Sequence, residues 1–336
     1  MPLSIPFPAW ISPEIIPGLP FRWYGLMYLA AFGTAWLLFM RQVKTGRLDI
    51  QKQDAANFFF WAILGLLAGA RIFAALVYDT SGRFLRNPLL IFWPFDEAGR
   101  FSGLQGMSYH GGLIGAVAGA VIYARLRRLD ILLWGDLLTA AIPLGYTFGR
   151  LGNFINGELY GRITALPWGM LFPSAEKMPA REPWVRQLAE QAGLAAPTAG
   201  AMLNLPRHPS QLYEALFEGL VLWLVLWFIV RKRKPFKGFV IGAYVLGYGL
   251  VRFFIEYFRE PDRELGFILR LGGGSGNPHL LETPFDFTMG QLLCLLMMAA
   301  GAVCLLLFRR LSRPDADAPA RAAPNARRLR RKLRGK

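Results

Sequence analysis

The run ILLWGDLLTAAIPLGYTF (131–148) followed by GRLGNFINGELYGR (149–162) decides the architecture. The first part carries a single charge and is close to the length that crosses a hydrocarbon core. The second places two arginines, two asparagines, a glutamate and four glycines where that helix is expected to stop. A membrane helix that only had to end needs one Gly or Pro and a short loop. Polar groups at a bilayer edge are costly unless paired, so this cluster reads as a place to hold a polar or anionic ligand.

Composition agrees with a membrane setting. Of 336 residues, 54% are hydrophobic and only 18% charged, less charge than a soluble chain of this length carries. Mean hydropathy is +0.32. Apolar runs at roughly 22–41, 55–78, 111–127, 131–148, 210–230, 238–258 and 288–308 predict seven membrane helices, an all-α polytopic domain over residues 1–310. No cleavable signal peptide is expected, because MPLSIPFPAWISPEIIPGLP has no basic leader and is broken by proline. Cys294 and Cys304 both fall inside the last span and read as packing residues.

The basic residues orient the spans. Arg41, Lys44, Arg47 and Lys52 follow the first, Arg125, Arg127 and Arg128 the third, and Arg231 to Lys234 with Lys237 the fifth. Segment 79–109 is neutral, with Arg83, Arg86 and Arg100 against Asp79, Asp96 and Glu97. The expected topology is N-terminus outside and C-terminus cytoplasmic, with 149–209 as a head segment on the outer face. Residues 311–336 form a basic tail that is expected to be disordered. From Arg309 onward there are eleven basic residues against Asp315 and Asp317. A tail of this kind fixes topology and touches anionic headgroups, a better reading than a nucleic-acid-binding arm.

With the spans oriented, their polar residues gather toward the outer ends: Tyr24, Arg71, His110, Arg150, then His208 to Glu214, then Arg252 and Glu256. Asp136, near an inner end, reads as a first-turn helix charge. Tyr244, Tyr248, Arg252 and Glu256 recur every four residues, so the last three share one helix face. Arg252 and Glu256 make a natural i,i+4 ion pair, but an intramembrane pair also marks a site. Arg71 is either a site residue or an arginine reaching for headgroups. In YHGGLIG (109–115) the histidine is a candidate general base or a headgroup-level residue above packing glycines. RHPSQLYEA (207–215) reads as a helix start, with Glu214 and Glu218 on one face. HExxH, GxSxG and paired intramembrane aspartates are missing from the sequence, which argues against an intramembrane protease. GGGSG (272–276) lacks the following Lys-Ser/Thr of a nucleotide loop and reads as a plain loop. No internal repeat supports a transporter. A non-catalytic anionic-lipid-binding protein is the other alternative.

GRLGNFINGELYGR closely resembles the signature of the bacterial prolipoprotein diacylglyceryl transferase family. RWYGLMY (22–28), YHGGLIG, RHPSQLYEA, GLVRFFIEYFREPD (249–262) and TMGQLL (288–293) are similar to its other blocks, in order, over about residues 20–310. The resemblance implies a seven-span enzyme of the bacterial inner membrane. Such an enzyme moves diacylglycerol from phosphatidylglycerol to the lipobox cysteine of a prolipoprotein signal peptide and releases glycerol 1-phosphate. It implies importance for Tyr24, His110, Arg150, Asn153, Gly161, Tyr248, Arg252 and Glu256. Arg150 and Arg252 suit a phosphate grip, His110 is the candidate base with Glu256 as rival or as orienter of Arg252, and Tyr24, Asn153 and Tyr248 suit the glycerol headgroup. Gly161 is expected to permit a tight turn. No cofactor or metal is expected, and no ligand cluster is recognisable. The alanine-rich stretch 174–203 departs from the family core.

Overall fold

The computed structural model describes residues 4–16, 18, 21–79, 82–95, 99–100, 106–194, 198, 200–261, 265–274 and 276–312. The expected basic tail falls almost wholly outside them. Apolar runs without internal proline wind into helices, because a helix satisfies every backbone group within its own segment. Nine carry the architecture: α1 Trp23–Thr45, α2 Lys52–Val77, α3 Tyr109–Leu126, α4 Ile131–Thr139, α5 Ile142–Ile155, α6 Pro183–Gln191, α7 Ser210–Arg233, α8 Phe239–Ile255 and α9 Met289–Leu311. Helices α1, α2, α7 and α9 are long and apolar enough to cross a membrane, and α4 with α5 forms a fifth candidate span bent by 44°. Helices α3 and α8, of 18 and 17 residues, are shorter.

The break between α4 and α5 corrects the expected helix end. The helix was to stop at Gly149, but α5 runs on through Ile155, so half of the polar signature is helical. Pro143, in the first turn of α5, has no N–H to continue the ladder from α4, which places the interruption upstream of the signature.

The chain divides into two compact units, residues 36–134 and residues 1–35 with 135–336. In the first, α2 and α3 meet backbone to backbone. A Cβ on Gly65 or Gly69 would collide with Gly115 or Gly111, the close approach that small residues allow in membranes. Phe39 stacks on Phe58, and Trp134 meets both rings at an angle. Arg71 is buried and its Nε donates to the Ile91 carbonyl at 2.5 Å, NH1 to the Gly106 carbonyl at 3.2 Å. It ties Ile91 and Gly106 to α2.

In the second unit, α8 packs along α9 and α5 along α7. Asp136 is no first-turn charge of its own helix. Buried in α4, it accepts hydrogen bonds from the backbone N–H of Gly238, Val240 and Ile241 and so caps the start of α8. The head segment is built from the pairs β1–β2 (Ile5–Pro6 with Met170–Leu171) and β3–β4 (Met178–Pro179 with Met202–Leu203), with α6 beside them. Ile163, Met178, Val185, Ala189 and Leu205 form its apolar core. The alanines of 174–203 are therefore partly packing positions, small enough for a thin layer. The hairpin β5–β6 (Phe267–Arg270 with Asp286–Thr288) leads into α9, whose start is closed by a Thr288/Gln291 capping box.

Candidate active site

Helices α5, α7 and α8 bring charge together inside the second unit. Helix α7 is wound as π-helix over Glu214–Val221, a geometry that recurs at functional sites, and both Glu214 and Glu218 are wholly buried. Around Glu214 stand three arginines. Arg150 Nε lies 2.8 Å from its Oε2, Arg252 NH1 3.3 Å from the same oxygen, and Arg259 NH1 2.9 Å from Oε1. Arg252 also reaches Glu218 at 3.4 Å and Glu256 at 2.7 Å. Arg259 Nε lies 3.5 Å from Glu256. Three guanidinium and three carboxylate groups therefore balance, the condition under which buried charge is tolerated.

Glu256 follows α8 and is received by the start of α9. Thr288 donates its hydroxyl to Glu256 at 3.3 Å, and a Cβ on Gly290 would meet the Glu256 carboxylate. The block TMGQLL thus caps a helix and leaves room for a carboxylate within residues 288–291.

The two arginines expected to grip an anion are engaged differently. NH1 and NH2 of Arg252 face carboxylates. Arg150 turns only Nε toward the cluster, where Tyr146 Oη accepts at 2.6 Å beside Glu214. On its other edge NH1 makes one long contact, 3.4 Å to Asn153 Oδ1, and NH2 has no hydrogen-bond partner among the described residues. Arg150 therefore has a two-pronged edge that is open in its hydrogen bonding, NH2 unpaired and NH1 loosely held, the shape that binds phosphate oxygens bidentately.

Of the other expected residues, Asn153 touches this edge. Asn153 is buried and donates to Glu158 Oε1 at 3.0 Å. The Tyr24 ring lies against Gly152 of α5 and its hydroxyl is 3.1 Å from that of Tyr28. Tyr248 meets Tyr146 edge to face, ring centres 5.9 Å apart. Gly161 is in no turn. It forms an antiparallel bridge with Arg259, and a Cβ there would collide with the Phe258 carbonyl, so it permits a close crossing. His110 belongs to the other unit, exposed at the second position of α3, whose first turn Ser108 caps.

Two motifs separate in sequence are sewn together beneath the cluster. Gly161 N–H donates to the His208 carbonyl, and His208 N–H to that of Arg162. Gln211 and Ser210 donate to the carbonyls of Glu158 and Leu159, which fixes Leu159 at φ 56°, a left-handed conformation rare for a branched residue. Arg162, fully buried, donates to the carbonyls of Arg259 and Leu280, both at 2.7 Å, and burial pulls its guanidinium down to about 10. Arg207 pairs with Glu260 at 2.7 Å, and His279 stands 2.5 Å from the same carboxylate. Burial works against the Glu260 charge, but His279 and Arg207 prevail and hold the carboxyl below its usual value. His208, bonded to Tyr213 at 3.2 Å, is driven by burial and by the Arg162 charge down to about 4 and is neutral at physiological pH.

Tyr146, Glu214, Glu218 and Arg259 are the residues that sequence reasoning did not single out as site members. The available signal was ionisable groups placed within or next to apolar spans.

Fold and cluster together define a multi-pass helical membrane protein with a charge-balanced, anion-competent site at the junction of three helices. The chain matches the family described as prolipoprotein diacylglyceryl transferase over residues 12–307, and it belongs to that family. It is 51% identical over 323 residues to the phosphatidylglycerol–prolipoprotein diacylglyceryl transferase of Treponema denticola, covering 91% of this chain and 95% of that one. The enzyme of the same name from Treponema pallidum is 48% identical over 313 residues, 89% of this chain and 93% of that one. The one from Chlorobaculum tepidum is 42% identical over 315 residues, with shares of 92% and 94%.

Proposed function

We propose that this protein transfers the diacylglyceryl group of phosphatidylglycerol to the cysteine thiol of a prolipoprotein lipobox. The sulfur forms a bond to the glyceryl carbon, the carbon–oxygen bond to phosphate breaks, the thiol proton passes to a base, and glycerol 1-phosphate leaves. The activity follows from family membership and from relatives matched nearly end to end. The observation that carries the site assignment is the open edge of Arg150, whose opposite edge is held by Tyr146 and Glu214. Negative charge grows on the leaving phosphate as the carbon–oxygen bond breaks, and a fixed cation at that point lowers the barrier. In this reading Arg150 grips the phosphate, while Arg252 holds Glu214, Glu218 and Glu256 in place. Asn153, Tyr24 and Tyr248 bind the glycerol headgroup. His110 takes the thiol proton, with Glu256 as the rival. Gly161 supports the site by close packing.

The same reading has seven spans in the bacterial inner membrane, the two shorter helices α3 and α8 included, with the N-terminus and head segment outside. The alternation of basic and neutral connections supports it. Purified protein incubated with phosphatidylglycerol and a lipobox cysteine peptide should add a diacylglyceryl mass to the peptide. Lipid binding or transport without that product would overturn the assignment.

A further inference from the structure

Tyr146 lies in an apolar run that carries no motif, one turn before Arg150 on α5. Its hydroxyl is nevertheless the link between two charged groups. Tyr146 Oη donates to Glu218 Oε2 at 2.5 Å and accepts from Arg150 Nε at 2.6 Å, with Glu214 Oε2 at 3.4 Å. The Arg150 guanidinium also lies over the Tyr146 ring, 4.8 Å from its centre. A phenol has one proton and a lone pair to offer. With the proton directed to Glu218, the lone pair faces the Arg150 N–H. The result is a chain from carboxylate through hydroxyl to guanidinium.

This arrangement has a geometric consequence. A guanidinium is a rigid plane. Its face rests on the Tyr146 ring, and its Nε is held by two acceptors, so the direction of the remaining edge is set. Glu218, whose other contact in the cluster is Arg252 at 3.4 Å, anchors the chain at its far end.

We propose that Tyr146, held by Glu218, is a positioning residue that aims the open edge of Arg150 at the phosphate of the lipid substrate. It acts through Arg150 and rests on the reading of Arg150 as the phosphate grip. Its contribution is selective: it serves the anionic lipid and leaves the thiol substrate alone.

The test uses the full-length protein in mixed micelles with varied phosphatidylglycerol and varied cysteine peptide. In Tyr146→Phe the ring stays and the link is lost. kcat/KM for the lipid is expected to fall about tenfold, chiefly through KM, with KM for the peptide unchanged. Glu218→Gln is expected to give the same selective loss, and the double variant to be within about twofold of the worse single one, since both break one chain. An unchanged lipid KM in correctly inserted Tyr146→Phe, an equal rise for both substrates, or multiplicative losses would overturn the proposal. Should Tyr146→Phe fail to insert, the lipid KM of Glu218→Gln decides alone. Arg150→Ala measured in parallel separates the two levels. If it keeps full activity, the Arg150 reading falls. If it is inactive while Tyr146→Phe behaves as wild type, only the Tyr146 inference falls.

Discussion

The stretch 149–162 carries one arginine beside its start and another at its end, and the two are used in opposite ways. Arg150 turns one edge to a tyrosine and a glutamate and leaves the other open. Arg162 is enclosed, and two of its guanidinium nitrogens are taken by main-chain carbonyls from residues 97 and 118 positions away. The first sits among charged side chains on crossing helices, the second in a head segment stitched by backbone bonds. A guanidinium bonded to carbonyls fastens loops. One held from behind by side chains can still bind something in front.

The sharpest way to break this comparison is to remove each arginine in turn. Arg150→Ala should lower turnover by about 10²- to 10³-fold, the cost of losing one charge-stabilising donor. It should also lower stability, because one of three balancing cations is lost, but the fold should persist since Glu214 keeps Arg252 and Arg259. Arg162→Ala should do the reverse. Two part-buried carbonyls lose their donor, at a cost of about 3 kcal/mol, read as poor accumulation and a lower thermal midpoint in detergent. Equal damage to folding from both would erase the distinction.

Next in size is a pH effect confined to the head. His208 binds its proton near 4 when folded and near 6.5 when unfolded. Between those values the unfolded chain holds more protons, so stability is full above about 6.5 and declines as pH falls toward 4. The loss is at most about 3 kcal/mol. The thermal midpoint across that window should slope less in His208→Gln. A matching slope in the variant would assign the effect elsewhere than His208, and not to the depressed Glu260 carboxyl, whose contribution is lost only below its usual value of 4.5.

Smaller still is Gly161→Ala. The added methyl meets the Phe258 carbonyl and the two strands must part, about 1–3 kcal/mol read as a lower midpoint. Asp136→Asn should have the least effect, about 1 kcal/mol, because the amide oxygen still caps α8 with weaker acceptance. Lost activity without lost stability in that variant would show that Asp136 does more than hold a helix.

Much of this was legible in the sequence. Hydropathy marked the helical membrane character, with four helices long and apolar enough to cross a membrane and a bent pair as a fifth candidate, and a four-residue spacing marked Arg252 and Glu256, which pair at 2.7 Å. Arg150 stood out as a charge where a helix had no need of one. Glu214 and Glu218 were legible only as two carboxylates on one helix face, since nothing local says that arginines from α5, α8 and the segment after α8 surround Glu214. Tyr146 was invisible for a related reason. A tyrosine in an apolar run reads as packing until the partners of its hydroxyl are known. The end of the signature helix was misplaced because glycines and polar residues suggest termination, whereas here Asn153 and Arg150 find partners that let the helix continue.

The sequence by itself determined that this chain is a helical membrane protein of one family, with ionisable groups in places where hydrocarbon forbids them unpaired. That follows from transfer free energies, which depend on residue type and run length. The tertiary structure alone decided which charge meets which, and that Arg150 keeps an edge open where Arg252 does not. Ion pairs and hydrogen bonds depend on distance and direction, and those are set by how α5, α7 and α8 cross.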